Sequence, residues 1–394
     1  MMEQEKNSEK VVDLKNFSKR IWAHRAAIAA SAAAVVVIIL VCSLIIYISY
    51  VGKVYNGYEV INTVEREQVE AATVVDYGTN FLTYSADGIH CTDAKGSDIW
   101  SCPFEMQNPM VEVCGDYVAA ADYNGRKIYV YNSSGELGTI STSNPIRAIK
   151  VSDKGVVVAV LDDTTVTPIC LYYYDGSEIA SFRTTMSKSG YPVALDISDD
   201  SKMVAISYLY LDSGTMTSKV AFYNFGEVGQ NETDNLVSGY DYQSELVPVV
   251  EFMDNSHAFA LANDRLIFYA GSQRPQSTAN ILLQEEVQSV YYSKDYVGLV
   301  YLNNTGESKF RMDIYSVSGE LKSSLNFDIQ YSDIFFTEDR AIIYNAASCV
   351  IYSTSGRLKY QGDFDESVLL MIPTTSSTKY VLVMPDRIET IQLQ

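Results

Sequence analysis

The chain has 394 residues, with hydrophobic residues at 47%, aromatic residues at 12%, 30 Tyr against 9 Pro, and a formal net charge of −20. That profile excludes a disordered chain and favours strands. The charge is uneven: residues 1–25 hold six basic and four acidic side chains, whereas residues 54–394 hold 22 basic and 45 acidic ones, a net −23 that repels nucleic acid.

The first 25 residues contain Lys6, Lys10, Lys15, Lys19, Arg20 and Arg25, with Ser8 and Ser18 as candidate phosphorylation sites. They are too few for a folded domain and read as a cytoplasmic tail (1–25). From Ala26 to Gly52 no charge occurs, and the run AAIAASAAAVVVIILVCSLIIYISYVG is long enough to cross a hydrocarbon layer of about 30 Å as a helix. Basic residues before it and Tyr47, Tyr50, Tyr55 and Tyr58 after it place the N-terminus in the cytoplasm and the bulk of the chain outside. A cleaved signal peptide is the rival. The run is long for one, and its small residues stand at its start, so an uncleaved signal-anchor over 26–52 is expected. Residues 53–57 read as a linker and 58–394 as the extracytoplasmic part of a cell-membrane, single-pass protein.

Two patterns then recur. The first is a strand, a small acidic turn and a second strand: IKVSDKGVVVAV (149–160), LDISDDSKMVAIS (195–207), VEFMDNSHAFAL (250–261), VYYSKDYVGLVY (290–301) and IFFTEDRAIIYN (334–345). The second is an aromatic strand, a glycine turn and an outgoing strand: IYVYNSSGELGTI (128–140), LYYYDGSEIASF (171–182), MDIYSVSGELKSSL (312–325) and VIYSTSGRLKYQ (350–361), with IHCTDAKGSDIW (89–100) as a variant. Together they give four strands per unit at a spacing that suits a propeller blade. Seven units fall near 74–109, 110–145, 146–192, 193–246, 247–286, 287–330 and 331–367. The tail 368–394 supplies only three strands, and YEVINTV at 58–64 is available as the fourth. Closing the ring with both chain ends would cover an exposed sheet edge. The expectation is therefore an all-β, eight-bladed propeller after one transmembrane helix, with seven blades as the alternative.

The hairpins SDKGVVVAV and SDDSKMVAIS resemble those of WD40-like propellers, and GSDIW resembles the turn of quinoprotein-like repeats. With its tail, anchor and ectodomain, the whole chain resembles an uncharacterised family of single-pass propeller proteins from Gram-positive anaerobic bacteria. That resemblance implies binding or scaffolding, and no known activity.

Chemistry-bearing motifs are sparse. His90 and His257 are the only histidines beyond the apolar run, which excludes a multi-histidine metal site. There is no GxSxG, GxxxxGK[ST] or HExxH motif. Acid pairs occur at Asp162-Asp163, Asp199-Asp200 and Glu285-Glu286; turn chemistry is the expected role, with carboxylate catalysis and calcium binding by Asp196, Asp199 and Asp200 as the sharper readings. Tyr172 to Tyr174 and Tyr291-Tyr292 are read as packing, with a ligand platform as the alternative. The insert Tyr208 to Leu246 is the expected place for partner contacts. Cys91 and Cys102 flank one turn, leaving open whether they are bridged. No residue is assigned as catalytic, cofactor-binding, metal-binding or ligand-binding, and no cofactor is expected. The functional expectation is a non-enzymatic module that binds a protein or envelope polymer, touches the bilayer through 26–52 and ignores nucleic acid. The alternatives are a glycan-acting hydrolase or lyase and a transmembrane sensor or assembly factor.

Overall fold

A computed structural model describes residues 14–68, 71–185, 190–303 and 306–394. Ser8, Lys6 and Lys10, and the side chains of Ser18, Tyr47 and Tyr50, lie outside what it describes. The chain forms two units, residues 1–54 and 55–394. The first is a helix, Leu14–Gly52, whose segment Ile21–Leu44 is long and apolar enough to cross a membrane and buries none of its side chains. An uninterrupted run of Ala, Val, Ile and Leu on every face of a helix has no polar side to turn to water.

The second unit is an eight-bladed propeller of eight four-stranded antiparallel sheets. Blades one to seven occupy 73–103, 109–141, 146–184, 191–243, 249–282, 287–327 and 333–363, each a simple meander. The eighth is built from both ends of the chain. Leu370–Pro373, Lys379–Val383 and Arg387–Leu393 form its inner three strands, and Tyr58–Glu65 pairs outside them, with Tyr58 opposite Leu393 and Glu65 opposite Arg387. The expected closure by YEVINTV is what occurs. The propeller begins slightly before this strand: Tyr55 is buried, its N–H donates to the carbonyl of Lys359 at 2.8 Å, and Asn56 N–H donates to the carbonyl of Gln394 at 2.9 Å.

Sheets so twisted cannot bury both faces alone, and the core lies between blades. One apolar cluster fills each interface around the ring. Between blades eight and one, Phe81 packs with Leu370, Ile372, Val381, Val383 and Ile388; between one and two, Leu82, Ile89 and Cys91 meet Val118, Ala120 and Tyr131. Trp100 of the GSDIW turn stacks on Tyr131 of the next blade, ring centres 5.2 Å apart. Each fully buried Phe or Ile contributes roughly 1.5–3 kcal/mol. The recurring glycine of the second pattern serves the same packing. Gly319 has φ of +80°, and a Cβ there would stand 2.7 Å from the Ala279 side chain of the preceding blade.

Strand direction gives the ring two faces. The first-to-second and third-to-fourth strand turns of every blade share one face with Tyr55, called here the near face. The second-to-third turns and blade-to-blade links form the far face. Near-face turns latch neighbouring blades: Tyr77 OH donates to the Asp116 carbonyl at 2.7 Å, and Asp200 N–H donates to Asn255 Oδ1 at 2.8 Å. Asp200 and Asp254 also accept from their own turns, which bears out turn chemistry for these aspartates. The far face is extended at blade four. Strands Met203–Asp212 and Thr215–Asn224 are ten residues each, where the corresponding strands elsewhere have five to seven. Their hairpin turns on Ser213 and Gly214, both at positive φ, the geometry of a two-residue turn matched to strand twist.

The sequence places His257 in the turn Asp254-Asn255-Ser256, which the structure corrects, and the question left open at Cys91 and Cys102 is answered. His257 is not in the turn but begins the strand His257–Leu261, its Nδ1 sharing a 2.8 Å hydrogen bond with Asp254 Oδ2. Cys91 and Cys102 are not bridged: the register pairs Cys91 with Trp100 and Cys102 with Ile89, and both thiols are free.

Candidate functional site: the charged arc of the central channel

The inner strands line the channel, and the residue before the last in each of them repeats a position. It is Asp76 in blade one (Thr73–Tyr77), Val113 in blade two (Pro109–Cys114), Lys150 in blade three (Ile146–Val151) and Asp196 in blade four (Tyr191–Ile197). It continues as Glu251 in blade five (Val249–Phe252), Tyr291 in blade six (Val287–Tyr292), Phe335 in blade seven (Asp333–Phe336) and Ile372 in blade eight. Period-2 alternation in eight radially arranged strands brings these side chains together.

Three of these charged side chains, Lys150, Asp196 and Glu251, converge and are joined by Glu112, one residue before the slot in blade two. Lys150 Nζ stands 3.2 Å from Glu251 Oε1 and 3.4 Å from Glu112 Oε2, joining blades two, three and five across the lumen. Asp196 is buried among them and accepts a 2.7 Å hydrogen bond from Phe252 N–H through Oδ2. The Tyr292 phenol is raised, first by burial and then by the neighbouring charge of Glu251. Burial alone would depress the Lys150 ammonium, but the summed attraction of Glu251, Glu112 and Asp196 outweighs it and raises its pKa. Burial, then the neighbouring charge of Glu251, pushes Asp196 well above the ordinary carboxylate value. Glu112 is also raised, by burial against the opposing pull of Lys150. Asp196 and Glu112 therefore hold protons more readily than carboxylates in water would, while the Lys150 amine stays charged.

Above this cluster, on the far face, a cavity of about 500 Å³ is lined by residues including Tyr84, Met110, Arg147, Val193, Pro248 and Glu251. Arg147 at its rim donates to Asn124 Oδ1 at 2.6 Å and to Tyr123 OH at 2.8 Å, and pairs with Asp162. Beside the cavity, the long hairpin presents Leu211 and Met216, cross-strand partners that are 74% and 43% exposed. Among the described residues of the propeller, Leu211 is the most exposed large apolar side chain.

The residues singled out by sequence scatter across this frame. Asp162 lies on the far face and Asp199 on the near face, where it accepts from Cys114 Sγ at 3.3 Å, so these two carboxylates do not meet. Glu285 is paired with Arg311 at 2.8 Å. His90 and His257 sit in blades one and five. Asp196 belongs to the channel cluster rather than to the turn with Asp199 and Asp200, and among the described residues no group of three or more His, Cys, Asp or Glu is placed to hold a metal. Tyr172 is buried, whereas Tyr173 and Tyr174 are exposed on the near face. The thiols are unreactive in kind, Cys91 being pushed up to about 11 by burial and then by Asp116 and Asp93. Glu112, Lys150 and Glu251 were not singled out. For Lys150 and Glu251 the signal was the repeated slot itself, visible in IKVSD, LDISD and VEFMD once the hairpins are aligned, whereas Glu112 stands one residue before it.

Residues 51–393 match a family of unknown function (DUF5711), and the chain belongs to that family. No curated protein matches it in sequence. In structure it is similar to BamB from Moraxella catarrhalis, with a TM-score of 0.51 at 10% identity, covering 86% of this chain and 100% of that one. It is also similar to Hsv2 from Kluyveromyces lactis, with a TM-score of 0.50 at 8% identity over 76% of this chain and 100% of that one. At such identities the likeness is one of fold.

Proposed function

We propose, with membership of a family of unknown function as the premise, that this chain is a membrane-anchored extracytoplasmic propeller that binds a protein or envelope polymer on its far face without catalysis. One observation carries the reading: the far-face cavity and the apolar-tipped hairpin of blade four lie on the same side of the ring. The anchor part of the reading rests on the apolar segment Ile21–Leu44, preceded by Lys19 and Arg20 and carrying Arg25 near its N-terminal end. Binding rather than chemistry is favoured because the converging titratable groups are spent on one another, Lys150 between Glu112 and Glu251, Arg147 on Asp162. A general base or nucleophile needs a free lone pair directed at substrate.

The test is chemical cross-linking of the full chain in its native membrane, with purified 55–394 as competitor, on wild type and on Leu211→Asp with Met216→Asp. Both positions are solvent-exposed, so the fold is expected to persist. A defined product that the fragment displaces and the double substitution removes is the expected result. An identical product from the double variant would overturn the far-face assignment, and glycan release by the wild type that Glu251→Gln abolishes would favour a hydrolase.

A further inference from the structure

We infer that the near face carries a second, separate site, a pocket for a phosphate-class oxyanion built between blades seven and eight around the buried guanidinium of Arg340. Arg340 opens the second strand of blade seven, Arg340–Tyr344, and is only 5% exposed. Its Nη1 donates to Tyr380 OH at 3.3 Å, the one hydrogen bond of its side chain among the described residues. Nε is buried without a hydrogen-bond partner, 3.6 Å from an Asp339 carboxylate whose side chain is 66% exposed to water. A guanidinium has five N–H donors in a planar fork, and buried ones are as a rule fully met. A buried cation so thinly partnered calls for a counter-group that the protein itself does not supply.

The space for that group is present. A cavity of about 200 Å³, roughly the volume of six or seven waters, lies against Arg340, Thr374, Thr375, Ser376, Ser377 and Tyr380. The Ser/Thr segment is the first turn of blade eight. Thr374 Oγ1 is already committed, donating to the Lys379 carbonyl at 2.9 Å, and Ser376 Oγ is bonded to Thr378 Oγ1 at 3.2 Å. The hydroxyls of Thr375 and Ser377 have no bond within the described protein and remain as donors. A cationic fork at the base and two neutral hydroxyl donors at the wall suit an acceptor-only group with several oxygens, which is a phosphate or phosphate ester. Glu338 and Asp339 also line the cavity. An oxyanion on the fork replaces the weak Asp339 contact, and Asp339, already largely in water, turns outward.

This site is independent of the far-face reading, because the two lie on opposite faces and share no residue. It is tested by titration calorimetry on the full chain in detergent micelles, adding inorganic phosphate or sn-glycerol 3-phosphate at constant ionic strength, with chloride as reference. Saturable one-site binding is expected. Arg340→Lys, which keeps the charge but loses the fork, and Thr375→Ala with Ser377→Ala, which leaves the core intact, should each weaken it by about tenfold or more. Tighter binding of glycerol phosphate would identify an ester of the lipid or envelope-polymer kind, and tighter binding of phosphate the free ion. No heat beyond chloride, or binding unchanged in the Thr375/Ser377 double variant, would overturn the proposal.

Discussion

The channel has two unlike arcs. Blades two to five bring Glu112, Lys150, Asp196 and Glu251 to it, whereas blades six to eight carry Tyr291, Phe335 and Ile372 at the repeated position of their inner strands. Both arcs are built from the same four-stranded antiparallel blades, so the difference at the lumen lies in the inner-strand side chains. The apolar arc is held as any blade interface is held: Phe310, Phe327, Ile334 and Ile343 pack between blades six and seven, and Met371 with Tyr344 and Tyr380 between seven and eight. The charged arc joins non-neighbouring blades through one lysine, which an apolar contact of ordinary reach would not do. A fold thus keeps its ring closed by interblade packing and leaves the lumen free to diverge.

That contrast is broken most severely at Lys150. Lys150→Met leaves Glu112 and Glu251 facing each other without a cation, at an expected cost of about 3–5 kcal/mol in denaturant unfolding. Adding Glu251→Gln should recover part of it, and full additivity of the two changes would show that they do not interact. In the apolar arc, Met371→Ala, at a residue 2% exposed, should cost about 2–4 kcal/mol through the cavity it leaves. Its effect should not change with salt, whereas that of Lys150→Met should shrink as salt screens the remaining acids.

A smaller effect comes at the hairpin tip. Gly214 has φ of +86°, so Gly214→Val should cost about 1–2 kcal/mol without disturbing either arc, measured by thermal unfolding. A pH-dependent effect sharpens the contrast at blade one, between the two arcs. Asp76 is raised to about 6, first by burial and then by the charge of Asp333 across the lumen. The folded ring therefore binds this proton more tightly than the unfolded chain, whose value is 3.8. Its contribution favours the fold below about pH 4 and is lost as pH rises to about 6. Asp76→Asn should accordingly raise the melting temperature at pH 7.5 and leave it unchanged at pH 4, and a gain of equal size at both would contradict the assignment.

Much of the fold was legible in the sequence because both repeated patterns report local geometry. An Asp-containing turn between period-2 strands, and a glycine at positive φ before an outgoing strand, fix where each blade begins, and the strand at 58–64 could be assigned by the one gap left at the other end. The site was less legible for a physical reason. Lys150 and Glu251 are 101 residues apart and meet only because the ring brings every inner strand to one axis. Read singly, each is a charge in an apolar strand. The pairs that did attract notice, Asp162-Asp163 and Asp199-Asp200, stand out by adjacency, which at a strand end or turn reports solvation and capping instead of convergence. The Tyr208 to Leu246 insert was a length signal, and the structure gives it content as a hairpin with Leu211 and Met216 at its tip.

The central claim is that the far face is where this propeller meets its partner. It is tested most directly by placing a photo-cross-linking residue at Leu211 and at Val193 on the far face, and at the exposed Tyr174 on the near face, each in the full chain in intact cells. The account predicts the same discrete adduct from Leu211 and Val193 and none from Tyr174. An adduct from Tyr174 alone, or equal adducts from all three, would contradict it.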